Sequence, residues 1–122
     1  MDVQPPIPIF RIFDEVKARE FYVDFLGFSV NWEHRFEEGA PLYMEVARGN
    51  CVIHLSEYFG DATPGGAIRV EVADIEALHG ELTARNYRHA RPGLDDTPYN
   101  TREVKVGDPF GNRLIFYVNT KG

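Results

Sequence analysis

The sequence predicts an α+β fold in which one β-α-β-β-β unit is written twice in tandem. Three observations carry that prediction. Gly107-Asp108-Pro109-Phe110-Gly111-Asn112 has the residue types of a tight turn, and the β-branched and aromatic run from Arg113 to Val118 reads as a strand. Gly49-Asn50 leads into Cys51-Val52-Ile53-His54-Leu55 in the same way, 62 positions earlier. Asp14 and Asp74, 60 positions apart, each open an amphipathic helical pattern.

Residues 1–6 form a proline-containing arm. Ile7 to Phe13 reads as a strand with Pro8 near its start, where a missing N–H is tolerated. Its odd positions, Ile7, Ile9 and Arg11, share one face. Asp14 caps a helix whose Ala18, Phe21, Tyr22 and Phe25 lie on one stripe, and Gly27 ends it. From Phe28 to Phe36 the chain alternates. Phe28, Val30, Trp32, His34 and Phe36 are expected on a buried face, with Ser29, Asn31, Glu33 and Arg35 opposite. Leu42 to Ala47 is a third strand, and Arg48-Gly49-Asn50 turns into the fourth, Cys51 to Ser56. Module 1 therefore spans about residues 7–57, a turn-rich linker occupies 58–65, and module 2 covers about 66–118.

The second module repeats the order. Ala67 to Val72 alternates as a strand, with Ile68, Val70 and Val72 on its apolar face. The helix capped by Asp74 carries Ile75, Leu78 and Leu82 and ends near Asn86. A short strand at Tyr87–Ala90, a loop from Arg91 to Asn100, and strands at Thr101–Val106 and Arg113–Val118 complete it.

At 122 residues the chain is one domain's worth of sequence, and 43% hydrophobic with 26% charged residues is ordinary for a globular protein. No apolar run reaches the roughly 20 residues of a membrane span. The start of the chain lacks the basic and apolar regions of a signal peptide, so a cytoplasmic location is expected. The formal net charge of −6 argues against nucleic acid and is compatible with a cationic ligand. Cys51 is the one cysteine, cannot pair internally, and reads as strand filler rather than a nucleophile. Gly-rich phosphate loops, serine-nucleophile motifs and Cys/His metal spacings are absent from the sequence.

Three motifs occur in order on this duplicated topology: Phe21-Tyr22 with Phe25-Leu26-Gly27-Phe28, then Val52-Ile53-His54-Leu55, then Asp108-Pro109-Phe110-Gly111-Asn112. Together they resemble the vicinal oxygen chelate superfamily. That superfamily holds glyoxalase I, extradiol dioxygenases, fosfomycin-resistance enzymes and the bleomycin-resistance binding proteins. The resemblance runs from about residue 7 to 118. It implies one domain over residues 1–122, in which the modules curl a mixed sheet around a cleft with the helices outside. In the superfamily the modules join within one chain or swap between two, and open sheet edges with a short, cleft-forming half-barrel lead to the expectation of a homodimer. Metal enzymes of the superfamily draw ligands from the first and fourth strands of each module. Those positions carry over to Ile7, His54, Ala67 and Ile115, with Phe116 the alternative to the last. Only His54 is a metal-binding type, so no metal and no cofactor are expected.

Trp32, His34 and Phe36 have the spacing either to stack on a planar ligand or simply to form a buried strand face. His54 is a polar hook for a ligand or a hydrogen-bonded cleft residue. Tyr58 and Phe59, aromatics in a turn-rich loop, suit a binding or dimer contact. Arg69 and Arg11 suit orientation of a charged ligand, or an ion-pair network with Glu71. Tyr117 is expected to line the cleft from the last strand, with Ile115. Glu33 and Glu45 are carboxylates that the sequence places at no shared point, and His79 and His89 are read as solvated. The resulting expectation is a metal-free protein that sequesters a bulky aromatic or cationic antibiotic or metabolite, bleomycin-like compounds included, with catalysis not expected. The alternative is a metal-dependent lyase or dioxygenase of the glyoxalase type, which would need His34, His54, Glu57 or Glu71 to converge.

Overall fold

The computed structural model of the chain describes residues 1–121. It contains β1 (Ile9–Arg11), α1 (Glu15–Arg19) running into a π-helical segment (Glu20–Phe25), β2 (Ser29–Arg35), β3 (Leu42–Arg48) and β4 (Cys51–Ser56). The order then repeats as β5 (Ala67–Glu71), α2 (Ile75–Ala84), β6 (Asp95–Asp96), β7 (Thr101–Gly107) and β8 (Arg113–Asn119). Two compact units result, meeting in sequence at Pro64 and Gly65. Each holds a four-stranded mixed sheet, ordered β1-β4-β3-β2 in the first and β5-β8-β7-β6 in the second. In both, the first strand of the unit pairs parallel to the last and the remaining ladders are antiparallel. This is the α+β, duplicated architecture that the sequence predicts.

Each helix begins as its cap residue dictates. The Asp14 carboxylate accepts from the N–H of Lys17 at 3.0 Å, and that of Asp74 from the N–H of Ala77 at 3.0 Å. The first helix then widens. The N–H of Leu26 donates to the carbonyl of Phe21, five residues back, at 2.9 Å, which is the π-helical spacing. The wider turn buries Phe21, Tyr22, Phe25 and Leu26 together, with Phe21 and Tyr22 edge to face at 4.9 Å. They pack with Phe10, Ile12, Met44, Val46, Ile53 and Leu55 as the first core. Arg48 closes the helix end by donating to the carbonyl of Leu26 at 2.8 Å. In the second unit, Ile75, Leu78 and Leu82 of α2 meet Val104, Val106, Leu114 and Phe116.

Three expectations need correction. The alternation of β2 does not give one buried face, because Asn31 is a bulge. Val30 opposes Val46, but Trp32 opposes Glu45, so Phe28 stays in the core while Trp32, His34 and Phe36 are exposed. The strand expected at Tyr87–Ala90 is a turn, with Ala90 N–H reaching the Tyr87 carbonyl at 3.4 Å; β6 forms later, at Asp95–Asp96. His79 is not simply solvated, since its Nε2 lies 3.0 Å from the carbonyl of Pro92 and ties α2 to the following loop.

The turn before β8 is built around a buried carboxylate. Asp108 Oδ1 accepts from the backbone N–H groups of Phe110 (2.8 Å) and Asn112 (2.9 Å), and Oδ2 accepts from the Asn112 amide at 2.9 Å. Gly111, at φ +97°, supplies the left-handed residue between them. Asp108→Ala strips three donors of their acceptor and is expected to lower the unfolding free energy by about 2–4 kcal/mol. The exposed cap change Asp14→Ala is expected to lower it by about 1 kcal/mol. Urea unfolding of both variants checks the difference, with the midpoint moving further for Asp108→Ala.

Candidate functional site

Alternation sends half of each sheet's side chains away from its helix. On the first sheet that open face carries Ile9 and Arg11 of β1, His54 of β4, Tyr43 and Glu45 of β3, and Trp32 and His34 of β2. The two-residue turn at Gly49–Asn50 closes the Arg48–Cys51 pair, and three steps further along each strand Glu45 faces His54. His54 Nε2 lies 3.0 Å from Glu45 Oε1, and its Nδ1 lies 2.7 Å from the Tyr43 hydroxyl. A carboxylate only accepts, so Nε2 carries a proton; with the imidazole neutral, the Tyr43 hydroxyl then donates to Nδ1. The other Glu45 oxygen accepts from the Asn31 amide at 2.8 Å, so the bulged residue supports the same carboxylate.

Trp32 completes an aromatic platform. Its ring lies nearly parallel to that of Tyr43, at 5.9 Å and 10°, and edge-on to His54 at 5.2 Å. At 43% exposure the indole remains open to a ligand. The Asn31 amide lowers the pKa of Glu45, helped by His54 and Trp32 and opposed by burial, so the carboxylate is held ionised beside the rings. Tyr43 is shifted the other way, raised by burial and by the charge of Asp61, so its hydroxyl keeps its proton.

On the second sheet the open face brings Arg69 and Tyr117 together. The Arg69 guanidinium lies 4.4 Å from the Tyr117 ring centroid, and its Nη2 donates to the buried carboxylate of Glu103 at 2.8 Å. Thr101 donates to the same Glu103 oxygen at 2.7 Å. Burial pushes the Glu103 pKa up, but the bonds from Thr101 and Arg69 and the charges of Arg69 and Lys105 outweigh it and hold the pKa down.

Of the sequence-predicted residues, the structure joins Trp32 with His54 and Arg69 with Tyr117. His34 opposes Tyr43 across the ladder on the exposed side. Phe36 lies just past β2 and is 83% exposed. Tyr58 is half-buried in the loop after β4, where its N–H donates to Ser56 Oγ at 3.0 Å. Phe59 is 92% exposed, with the Arg11 guanidinium 6.0 Å from its ring. Tyr43 was missed by sequence reasoning, and Glu45 was left unplaced. Counting back from the Gly49–Asn50 turn would have set Glu45 opposite His54 and located both.

The superfamily's metal positions do not fit a metal here. Opposite His54 on β1 stands Ile9. The counterpart of that pair in the second unit is Arg69 with Ile115, which selects Ile115 over Phe116. Glu57 is occupied by the Leu42 N–H at 2.9 Å and by Arg35, and Glu71 accepts from Asn119 at 3.4 Å. Among the described residues no group of three or more His, Cys, Asp and Glu side chains could hold an ion. Cys51 is half-buried, and burial raises its pKa, the opposite of an activated thiol.

Fold and faces together define a duplicated-sheet protein with exposed, polar-edged aromatic surface. A family model described as glyoxalase superfamily protein matches residues 1–122, and the chain belongs to that superfamily. No curated protein matches the chain. Among solved structures, it is similar to a bleomycin-binding protein from bleomycin-producing Streptomyces verticillus, complexed with copper(II)-bleomycin. The identity is 27%, the TM-score 0.71, and the match covers 95% of this chain and 96% of that one. An antibiotic-binding protein from Streptomyces sp. CB03234 matches at 23% identity and TM-score 0.68, over 95% and 97% of the two chains. A glyoxalase family protein from Enterococcus faecalis matches at 17% and 0.67, over 92% and 94%. The last two show the shared fold.

Asn31 is the first cause of the low Glu45 pKa, so Asn31→Ala is expected to raise it. A folded-state pKa below the unfolded value lends stability at higher pH, and that stability is lost as the pH falls through the folded value. Carboxyl carbon NMR across an acid titration should place the Glu45 midpoint below the ordinary carboxylate range, and higher in the variant.

Proposed function

We propose that the chain is a metal-free small-molecule-binding protein of the bleomycin-resistance type, which sequesters a planar aromatic or cationic antibiotic or metabolite. The observation that carries this reading is the Trp32–Tyr43–His54 platform with the ionised Glu45 bonded at its edge. A planar π-system stacks on the exposed Trp32 ring, which Tyr43 and His54 brace, and a positive charge on it is favoured by the carboxylate and by the net charge of −6. The 27% identical relative is a bleomycin-binding protein, which supports a ligand of this kind. Capture is stoichiometric, and affinity comes from stacking and apolar burial with no bond made or broken. The reading includes a homodimer in the cytoplasm. The sheets end in open strands, β1 and β2 in one and β5 and β6 in the other, and such edges support pairing between copies.

Trp32 is the one tryptophan of the chain, so its fluorescence reports the platform directly. Titration with metal-free bleomycin or with a planar aromatic cation such as ethidium is expected to quench it saturably. Trp32→Ala, followed by calorimetry, is expected to weaken binding about tenfold, the effect of about 1.4 kcal/mol of lost stacking. Metal analysis of protein purified without chelator belongs beside it, because stoichiometric bound metal would overturn the metal-free reading.

A further inference from the structure

The Trp32–Tyr43–His54 platform has a hydrogen-bonding sense as well as a shape. Trp32, Tyr43 and a neutral His54 carry one polar hydrogen each. That of His54, on Nε2, is directed at Glu45 Oε1 at 3.0 Å, and that of Tyr43 at His54 Nδ1 at 2.7 Å. The Trp32 indole N–H acts on the same carboxylate and helps to hold its pKa down. All of the platform's own polar hydrogens are thus spent inside the cluster.

Its acceptors are not. The Tyr43 oxygen gives its one proton to His54 and keeps its lone pairs. Glu45 has about four acceptor sites on its two oxygens, more than His54, Asn31 and Trp32 fill. Tyr43 is half-buried, and the Glu45 and His54 side chains are 18% and 17% exposed, so this edge is not closed to a ligand stacked on Trp32. Asp61, from the loop after β4, adds negative charge at Tyr43 and no donor. The arginine of this face, Arg11, lies in the next row, opposite Ser56 and against the rings of Phe13 and Phe59. Asn31 and His34, both exposed, carry donors and acceptors alike and discriminate neither way. An oxygen whose proton is already committed rewards a donor brought against it and repels a second acceptor.

We propose that this edge selects planar aromatic ligands by the N–H groups on their rims rather than by positive charge alone, an inference that rests on the platform binding rings at all. Amino- and amidino-substituted ring cations fit it. N-alkylated ring cations that lack an N–H do not, and neither do aryl carboxylates. Tyr43 and Glu45 are the specificity-determining residues, and His54 keeps the Tyr43 proton turned inward.

The test is a calorimetric titration of the full chain with three acridines of one ring size, with Trp32 fluorescence followed beside it. At neutral pH 9-aminoacridine is a cation with N–H groups, 10-methylacridinium a cation with none, and acridine-9-carboxylate an anion that only accepts. 9-Aminoacridine is expected to bind about tenfold more tightly than 10-methylacridinium, with the carboxylate weaker still. Tyr43→Phe keeps the ring, removes an acceptor, and is expected to cut that preference about threefold. Glu45→Gln is expected to cut it at least as far, because its amide can offer a donor instead. Equal binding of the two cations, or a preference that survives both substitutions, would overturn the donor selection and leave the aromatic platform standing. Carboxylate binding as tight as that of 9-aminoacridine would do the same. Failure of all three acridines to bind or to quench Trp32 would overturn the platform itself, and the donor selection with it.

Discussion

The two-residue turn at Gly49–Asn50 is the constraint on which the first open face depends. Gly49 adopts φ +57°, which allows Arg48 and Cys51 to close the ladder with only two residues between them. Every later pair is then fixed. Val46 with Ile53 and Met44 with Leu55 fall under the helix, while Glu45 with His54 falls on the open side. A slip of one residue would expose the core pairs and bury a carboxylate, so the register is strongly specified. The parallel strand β1 reads the same register, because the His54 N–H donates to the Pro8 carbonyl and the Ile12 N–H to that of Ser56.

Comparison of the two units shows what that constraint protects. The core pairs Val46–Ile53 and Met44–Leu55 have as counterparts Val106–Leu114 and Val104–Phe116, apolar in all positions. The open pairs differ in chemistry. Glu45–His54 becomes Lys105–Ile115, and Tyr43–Ser56 becomes Glu103–Tyr117. One backbone plan, with one set of packing demands, therefore presents a Trp32–Tyr43–His54–Glu45 cluster once and an Arg69–Glu103–Tyr117 cluster once. The fold sets where side chains go, and the positions that face away from the helices are where the two units differ in chemistry.

The same division explains what could be read from the sequence. Strands such as Cys51–Ser56 and helices capped by Asp14 and Asp74 were legible, because alternation, caps and turns are local signals. The bulge at Asn31 was not. An extra residue leaves the alternation of types intact but moves Trp32 and His34 to the other face, and only the partner strand reveals it. The two-residue β6 has no pattern to read, since Asp95 and Asp96 are poor strand formers held by pairing with Glu103 and Arg102. His54 and Arg69 stood out as residue types. Their partners Tyr43, Glu45 and Glu103 are set by register across strands, which one-dimensional spacing does not display unless the turn between the strands is used to count.

Glu103 is the residue that stability alone accounts for least. A buried carboxylate must recover its lost hydration, and an ion pair recovers it no better than a well-packed apolar pair would. Its two hydrogen bonds compensate the oxygen facing Arg69 and Thr101, but leave the other without one. What the arrangement does achieve is geometric. Arg69 alone would be a long, mobile side chain with many rotamers; pinned to a buried partner and laid on the Tyr117 ring, it has one. Ordering an exposed guanidinium in advance lowers the entropy lost when something binds it, and that gain appears only with a ligand.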